Sequence, residues 1–183
     1  MAKPPKSRVP TRVVLGVTGS IAAYKACLIV RGFLKAGAEV RCVLTEAAEK
    51  FVSPLTLATL SRYPVCLDMF DRSHWDMAHL SFASWADRLL VAPATADTLA
   101  RLAQGRAGTA LDAAVLAARS PVFVAPAMDS DMWAHPATRA NVERLKGYGY
   151  RILGPVDGVL ASGRKGPGCL MDPDEIVRRV LAG

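Results

Sequence analysis

The chain has 183 residues, of which 51% are hydrophobic, and a formal net charge of +7. That length and apolar fraction predict one globular domain with a sizeable core. No apolar run approaches the roughly 18 residues that span a bilayer, and no signal peptide is evident, so a soluble cytoplasmic protein is expected, with no membrane partner.

Residues 1–11 carry Lys3, Lys6 and Arg8 among three prolines without apolar period, and read as a flexible basic leader ahead of a domain over residues 12–183. A buried strand over Val13 to Val17 then turns at Gly19-Ser20 into a helix from about Ile21 to Lys35, stopped by Ala36-Gly37. Glu39 to Leu44 is the second strand. Pro54 interrupts the helical period of Ala47 to Ser61, which predicts two short helices, and Val65 to Leu67 reads as a short strand. Phe70 to Trp85 reads as a loop leading into a helix near Met77.

Arg88 to Ala92 is expected as a strand, Ala96 to Ala103 and Thr109 to Ala118 as helices, and Pro121 to Ala125 as the next strand. Pro136 to Tyr148 follows as a helix that His135 enters. Arg151 to Leu153 is a strand, and a closing helix over Asp174 to Leu181 starts at Asp172-Pro173. Between these last two lies Gly154 to Met171, too long and too rich in glycine and proline for an ordinary connection, and expected as a mobile lid. The βα alternation predicts an α/β fold: a single-domain, Rossmann-like doubly wound parallel sheet with helices on both faces.

In such a sheet the carboxyl ends of the strands share one edge, and ligands bind in the crevice beyond it. Four small-residue motifs fall there: Thr18-Gly19-Ser20, Thr45-Glu46, Pro93 to Thr98, and Pro126 to Asp129. Their hydroxyl and small side chains suit a phosphorylated ligand. The first turn lacks the full G-x-G-x-x-G spacing, which disfavours a nicotinamide dinucleotide and leaves a mononucleotide. Gly19 permits close backbone approach, and Ser20 either faces a phosphate or simply caps the following helix. Asp97, whose charge opposes a phosphate, reads as hydroxyl recognition or as a cap. Met128, Met132 and Trp133 follow a buried strand directly, where they can wall a substrate or a flat ring.

The basic residues are scattered and not interleaved with aromatics, which argues against nucleic acid and favours solubility or a phosphorylated small molecule. Cys27, Cys42, Cys66 and Cys169 lack metal-ligand spacing, so no metal is expected and buried thiols are the simpler reading.

Four ordered segments resemble the flavin-dependent cysteine decarboxylases, the family of phosphopantothenoylcysteine decarboxylase and the lantibiotic-peptide decarboxylases. They are Gly19 to Lys25; His79 ahead of Trp85-Ala86-Asp87; Pro93 to Thr98; and Pro126 to Trp133 followed by Leu160 to Gly163 and Gly166 to Gly168. The resemblance implies bound FMN, with Gly19, Ser20 and the first helix near its phosphate and Thr45, Pro93, Ala94 and Thr95 lining it. It also implies a homo-oligomer, as a trimer or trimer-built dodecamer, and His79 as catalytic base. The implied reaction oxidises the cysteine side chain to a thioaldehyde, whose C=S receives the electrons of the departing carboxylate. His79 assists removal of the thiol proton. The leading substrate is 4′-phosphopantothenoylcysteine, a phosphorylated cysteine conjugate; the alternatives are a peptide carboxyl-terminal cysteine and a non-catalytic flavin-binding regulatory subunit.

Two departures from the family pattern stand out. Asp129 replaces a common Asn that donates to the substrate carboxylate. Its charge requires protonation, a cation such as Arg164 or Lys165, or a different substrate arrangement. Ser162 replaces a lid cysteine that protonates the product, a poor exchange because a hydroxyl is a far weaker acid. Cys169 either takes over that role or is an inert neighbour of the closing helix.

Overall fold

A computed structural model describes residues 9–69 and 78–183, with side chains of residues 78–80 also outside the description. Most of the expected leader and the loop from Phe70 lie outside the described residues. Five strands, β1 (Arg12–Val17), β2 (Glu39–Leu44), β3 (Arg88–Ala94), β4 (Val122–Pro126) and β5 (Arg151–Ile152), form one parallel sheet in the order β2-β1-β3-β4-β5. The chain winds one way from β1 to β2 and the other way from β3 onward. The reversal therefore falls between β1 and β3, where a doubly wound sheet opens its ligand crevice.

Alternation along β1 explains the two-sided core. Val13, Leu15 and Val17 pack on one face with α1 (Ala26–Lys35) and α9 (Pro173–Ala182) through Ile29, Phe33, Ile176 and Val180. Val14 and Val91 face the other side, against Leu99 and Leu102 of α5 (Ala96–Ala103), Leu111 of α6 (Ala110–Ala117) and Leu145 of α8 (Pro136–Gly147). Gly16 is small because Leu111 occupies the space that a Cβ would take. The remaining helices are α2 (Glu46–Glu49), α3 (Pro54–Ser61), α4 (Ala78–Trp85) and α7 (Ser130–Ala134).

Several expected boundaries shift. The first helix opens as a 3-10 turn over Ile21–Lys25, and α1 proper starts at Ala26. Val65 to Leu67 contributes only a single parallel bridge, Cys66 to Val43, on the edge of β2. Ser130 to Ala134 closes into α7, capped by the Asp129 side chain accepting from Asp131 N. The glycine-rich segment expected as a lid folds into an antiparallel hairpin, β6 (Val156–Val159) with β7 (Lys165–Cys169). Its base is anchored in the core by buried Leu170 and Met171, and it lies beside the segment that follows β4. His135 enters α8 as expected, its Nδ1 accepting from Ala137 N at 3.2 Å.

Candidate active site

Thr18, at the end of β1, ties the strands at the reversal point. Its hydroxyl donates to Pro93 O at 2.7 Å and accepts from Thr95 N at 3.1 Å. One buried side chain thus fixes where the ends of β1 and β3 stand relative to each other. Thr95 caps α5, its hydroxyl accepting from Thr98 N at 3.2 Å, and Gly19 lets the chain pass close to Ala47, where an added Cβ would stand only 2.5 Å from the Ala47 Cβ. Thr45, at the end of β2, is buried and its hydroxyl has no partner among the described residues. An unsatisfied buried hydroxyl costs stability, so Thr45 beside a backbone cradle fits an oxygen-rich ligand that completes its bonding.

On the other side of Ser20 lies a cleft of about 320 Å³. One wall is the 3-10 turn with Ile21, Tyr24 and Lys25; the second is Ala127 to Asp129 beyond β4; the third is the hairpin, through Leu160, Ser162 and Cys169. Ser20 lines this cleft, donating to Ala127 O at 3.4 Å while accepting from Ala22 N. The hairpin is held against β4 by Met128 N donating to Gly168 O at 3.0 Å, a contact so close that a Cβ on Gly168 would overlap the Met128 carbonyl oxygen.

Asp129 organises the hairpin tip. It accepts from Ser162 Oγ at 3.1 Å, from Arg164 Nη2 at 2.5 Å and from Asp131 N at 3.0 Å, while Arg164 also reaches Asp131 at 2.9 Å. The Asp131 amide, the Ser162 hydroxyl and the Arg164 guanidinium hold the Asp129 carboxyl below its ordinary value. Of the three ways to accommodate this charge, the structure displays the cationic one, and the cation is Arg164. Lys165 instead lines an open hollow on the hairpin's outer side with Asp157 and Gly158.

The expected site residues therefore divide. Ser20, Met128, Asp129, Ser162 and Cys169 meet at the cleft; Cys169 donates its thiol to Val159 O at 3.5 Å. Thr45, Pro93, Ala94 and Thr95 gather at the neighbouring strand ends. Asp97 is drawn away from them to Arg101, which also pairs with fully buried Asp112 at 2.9 Å. Met132 is exposed, and Trp133 lies beneath Arg139, whose guanidinium carbon is 5.1 Å from the ring centroid. His79 is the second residue of α4, and its side chain lies outside the described residues. Sequence reasoning missed the tie made by Thr18 and the cleft position of Lys25. Hydroxyl and cation placement at the end of β1 signalled both.

A parallel sheet with its reversal at a row of hydroxyls, beside a cleft under a hairpin, defines an α/β mononucleotide-binding protein. The family model described as Flavoprotein matches residues 1–182. The coenzyme A biosynthesis bifunctional protein CoaBC of Bacillus subtilis is 44% identical over 167 residues, 91% of this chain and 41% of its own length. That of Mycobacterium tuberculosis is 46% identical over 169 residues, 92% of this chain and 40% of its own length. The chain thus spans about two fifths of the curated relatives it matches. Among solved structures, a cysteine-to-serine mutant of PPC decarboxylase complexed with pantothenoylaminoethenethiol superposes with a TM-score of 0.86 at 33% identity, covering 95% of this chain and 98% of that one. The FMN-dependent cysteine decarboxylase SpaF gives a TM-score of 0.83 at 33% identity, covering 94% and 95%. The chain belongs to the flavoprotein family, among its flavin-dependent cysteine decarboxylases.

Proposed function

We propose that the protein binds FMN at the ends of β1, β2 and β3 and decarboxylates the cysteine carboxylate of 4′-phosphopantothenoylcysteine to give 4′-phosphopantetheine. The observation that carries this reading is the adjacency of two differently built regions. A hydroxyl row with an unpartnered Thr45 suits a cofactor, and a walled cleft under the hairpin suits a thiol-bearing substrate. The substrate follows from the similarity to the CoaBC proteins and to PPC decarboxylase.

FMN, when bound, would take up the two electrons whose removal turns the cysteine side chain into an electron sink and would give them back after carbon dioxide has left, so that 4′-phosphopantetheine forms without net oxidation. Thr18 and Thr95 fix the backbone that receives it, and Thr45 supplies a hydroxyl. The hairpin keeps water from the cleft, tied by Gly168 at its base and by Ser162 and Arg164 at its tip. His79 is the proposed base for the thiol proton. Cys169 is the better acid of the two hairpin candidates for returning a proton to the product, because a thiol gives up its proton far more readily than the Ser162 hydroxyl. The proposed assembly is a homo-oligomer, trimeric or dodecameric, in the cytoplasm.

The test supplies the FMN-loaded protein with 4′-phosphopantothenoylcysteine and, separately, with a peptide ending in cysteine. One carbon dioxide per 4′-phosphopantetheine is expected from the first. Release only from the peptide overturns the substrate, and release from neither overturns the activity.

A further inference from the structure

We infer that Arg101 is a positioning residue that sets the direction of the Thr95 hydroxyl, so that Thr95 meets a ligand at the end of β3 only as a hydrogen-bond donor. For its ligand the inference rests on the flavin nucleotide proposed above. Its direction rests on a run of contacts through α5 and α6. Asp112, fully buried, accepts from Arg101 Nε at 2.9 Å. Arg101 Nη1 donates to Asp97, and Arg101 Nη2 donates to Thr98 Oγ1 at 3.4 Å. Thr98 is itself buried, and its Oγ1 lies 3.0 Å from Thr95 Oγ1, where distance alone lets either hydroxyl be the donor.

Proton counting removes that ambiguity. A guanidinium has donors and no acceptor, so Thr98 Oγ1 accepts from Arg101. The Thr98 proton then needs an acceptor, and among the described residues Thr95 Oγ1 is the one it meets. The reverse arrangement strands a buried hydroxyl proton without a partner, which costs stability. Thr95 Oγ1 therefore accepts twice, from Thr98 N at 3.2 Å and from the Thr98 hydroxyl. A hydroxyl has two lone pairs and one proton, so only the proton of Thr95 is left to offer. Thr95 is half-buried at the strand end, and that proton has no acceptor among the described residues.

A fixed donor suits an acceptor-only atom, which in a flavin nucleotide is a phosphate oxygen or a carbonyl oxygen of the ring. Orienting the hydroxyl before the ligand arrives spares binding that cost. Because a guanidinium stays protonated throughout the working pH range, the direction does not change with pH. Asp112 contributes by holding Arg101 where its fork reaches Thr98.

The experiment reads the direction in the cofactor-free protein and its use in flavin binding. By proton NMR, the Thr98 hydroxyl proton is expected to be protected from exchange and the Thr95 hydroxyl proton to exchange freely; a protected Thr95 proton, or no protected Thr98 proton, overturns the inference. Fluorescence titration with FMN and with riboflavin then compares the wild type, Thr98→Val and Arg101→Lys, each with and without Thr95→Val. Arg101→Lys keeps a cation beside Asp112 but lacks the fork. Either variant alone is expected to weaken FMN by about three- to tenfold, and neither should weaken it further in the Thr95→Val background, because both act through Thr95. A loss that persists undiminished in that background, or full affinity in both single variants, overturns the inference. A loss confined to FMN identifies the phosphate as the acceptor, and an equal loss for riboflavin identifies the ring; either supports it. If the wild type binds neither flavin, the proposed cofactor fails on its own account, and the NMR result alone decides the direction of Thr95.

Discussion

Gly168→Ala tests whether the hairpin is docked as tightly as its backbone contact implies. The added methyl overlaps the Met128 carbonyl oxygen and comes within 3.0 Å of Leu160 Cδ2. To relieve it β7 must retreat by roughly 1 Å, which stretches the 3.0 Å bond from Met128 N to Gly168 O beyond hydrogen-bonding range. Losing that bond costs about 1 kcal/mol, and the residual crowding adds about 1–3 kcal/mol. Complete undocking is the costlier route, because it exposes Leu160 and Leu170, worth about 2 kcal/mol each. The expected outcome is a shifted hairpin and a melting temperature lowered by roughly 5–15 °C. Hydrogen exchange should show the Met128 amide losing protection before the amides of β1 do. Gly147→Ala is the control, since nothing lies within 4 Å of its added methyl. Equal melting of the two variants with an intact Met128 amide would refute the tight-docking argument.

Thr45→Val removes a buried hydroxyl without a partner, so the cofactor-free protein should be as stable as the wild type or about 1 kcal/mol more stable, while FMN affinity falls; a thermal melt with and without FMN reads both effects. Arg101→Met leaves Asp112 fully buried without its cation and should cost about 3–5 kcal/mol in denaturant unfolding, whereas a change below 1 kcal/mol would contradict the buried ion pair. Asp129→Asn should speed tryptic cleavage after Arg164 and Lys165 at neutral pH by releasing the hairpin tip. Because the native Asp129 carboxyl titrates below its ordinary value near 4, its hold on the tip is complete above that pH and is lost as pH falls through the depressed native value. Tip exchange in the wild type should therefore rise only in acid, and that acid dependence should be absent in Asp129→Asn.

Long apolar runs made the sheet legible. Val13 to Val17 and Val122 to Ala125 are buried strands of near-continuous apolar sequence, Glu39 to Leu44 is a strand whose buried Val40, Cys42, Val43 and Leu44 are interrupted by Arg41, and their ends placed the site at one edge before any contact was known. The hairpin was illegible for the opposite reason. Lys165-Gly166-Pro167-Gly168-Cys169 has poor strand propensity, and its register is set by the approach of Gly168 to Met128 and by ion pairs from Arg164, which are tertiary contacts. The 3-10 opening at Ile21–Lys25 escaped because its side chains also fit an α-helical period. Asp129 was recognised as an unusual charge in the site, but only the fold brings Ser162 and Arg164 from more than thirty residues away to hold it ionised.

The absorption spectrum of the purified protein, with its released cofactor identified, tests the central claim most directly. A yellow protein that releases one FMN per chain is the predicted result. A colourless protein that takes up no FMN on reconstitution would contradict the account.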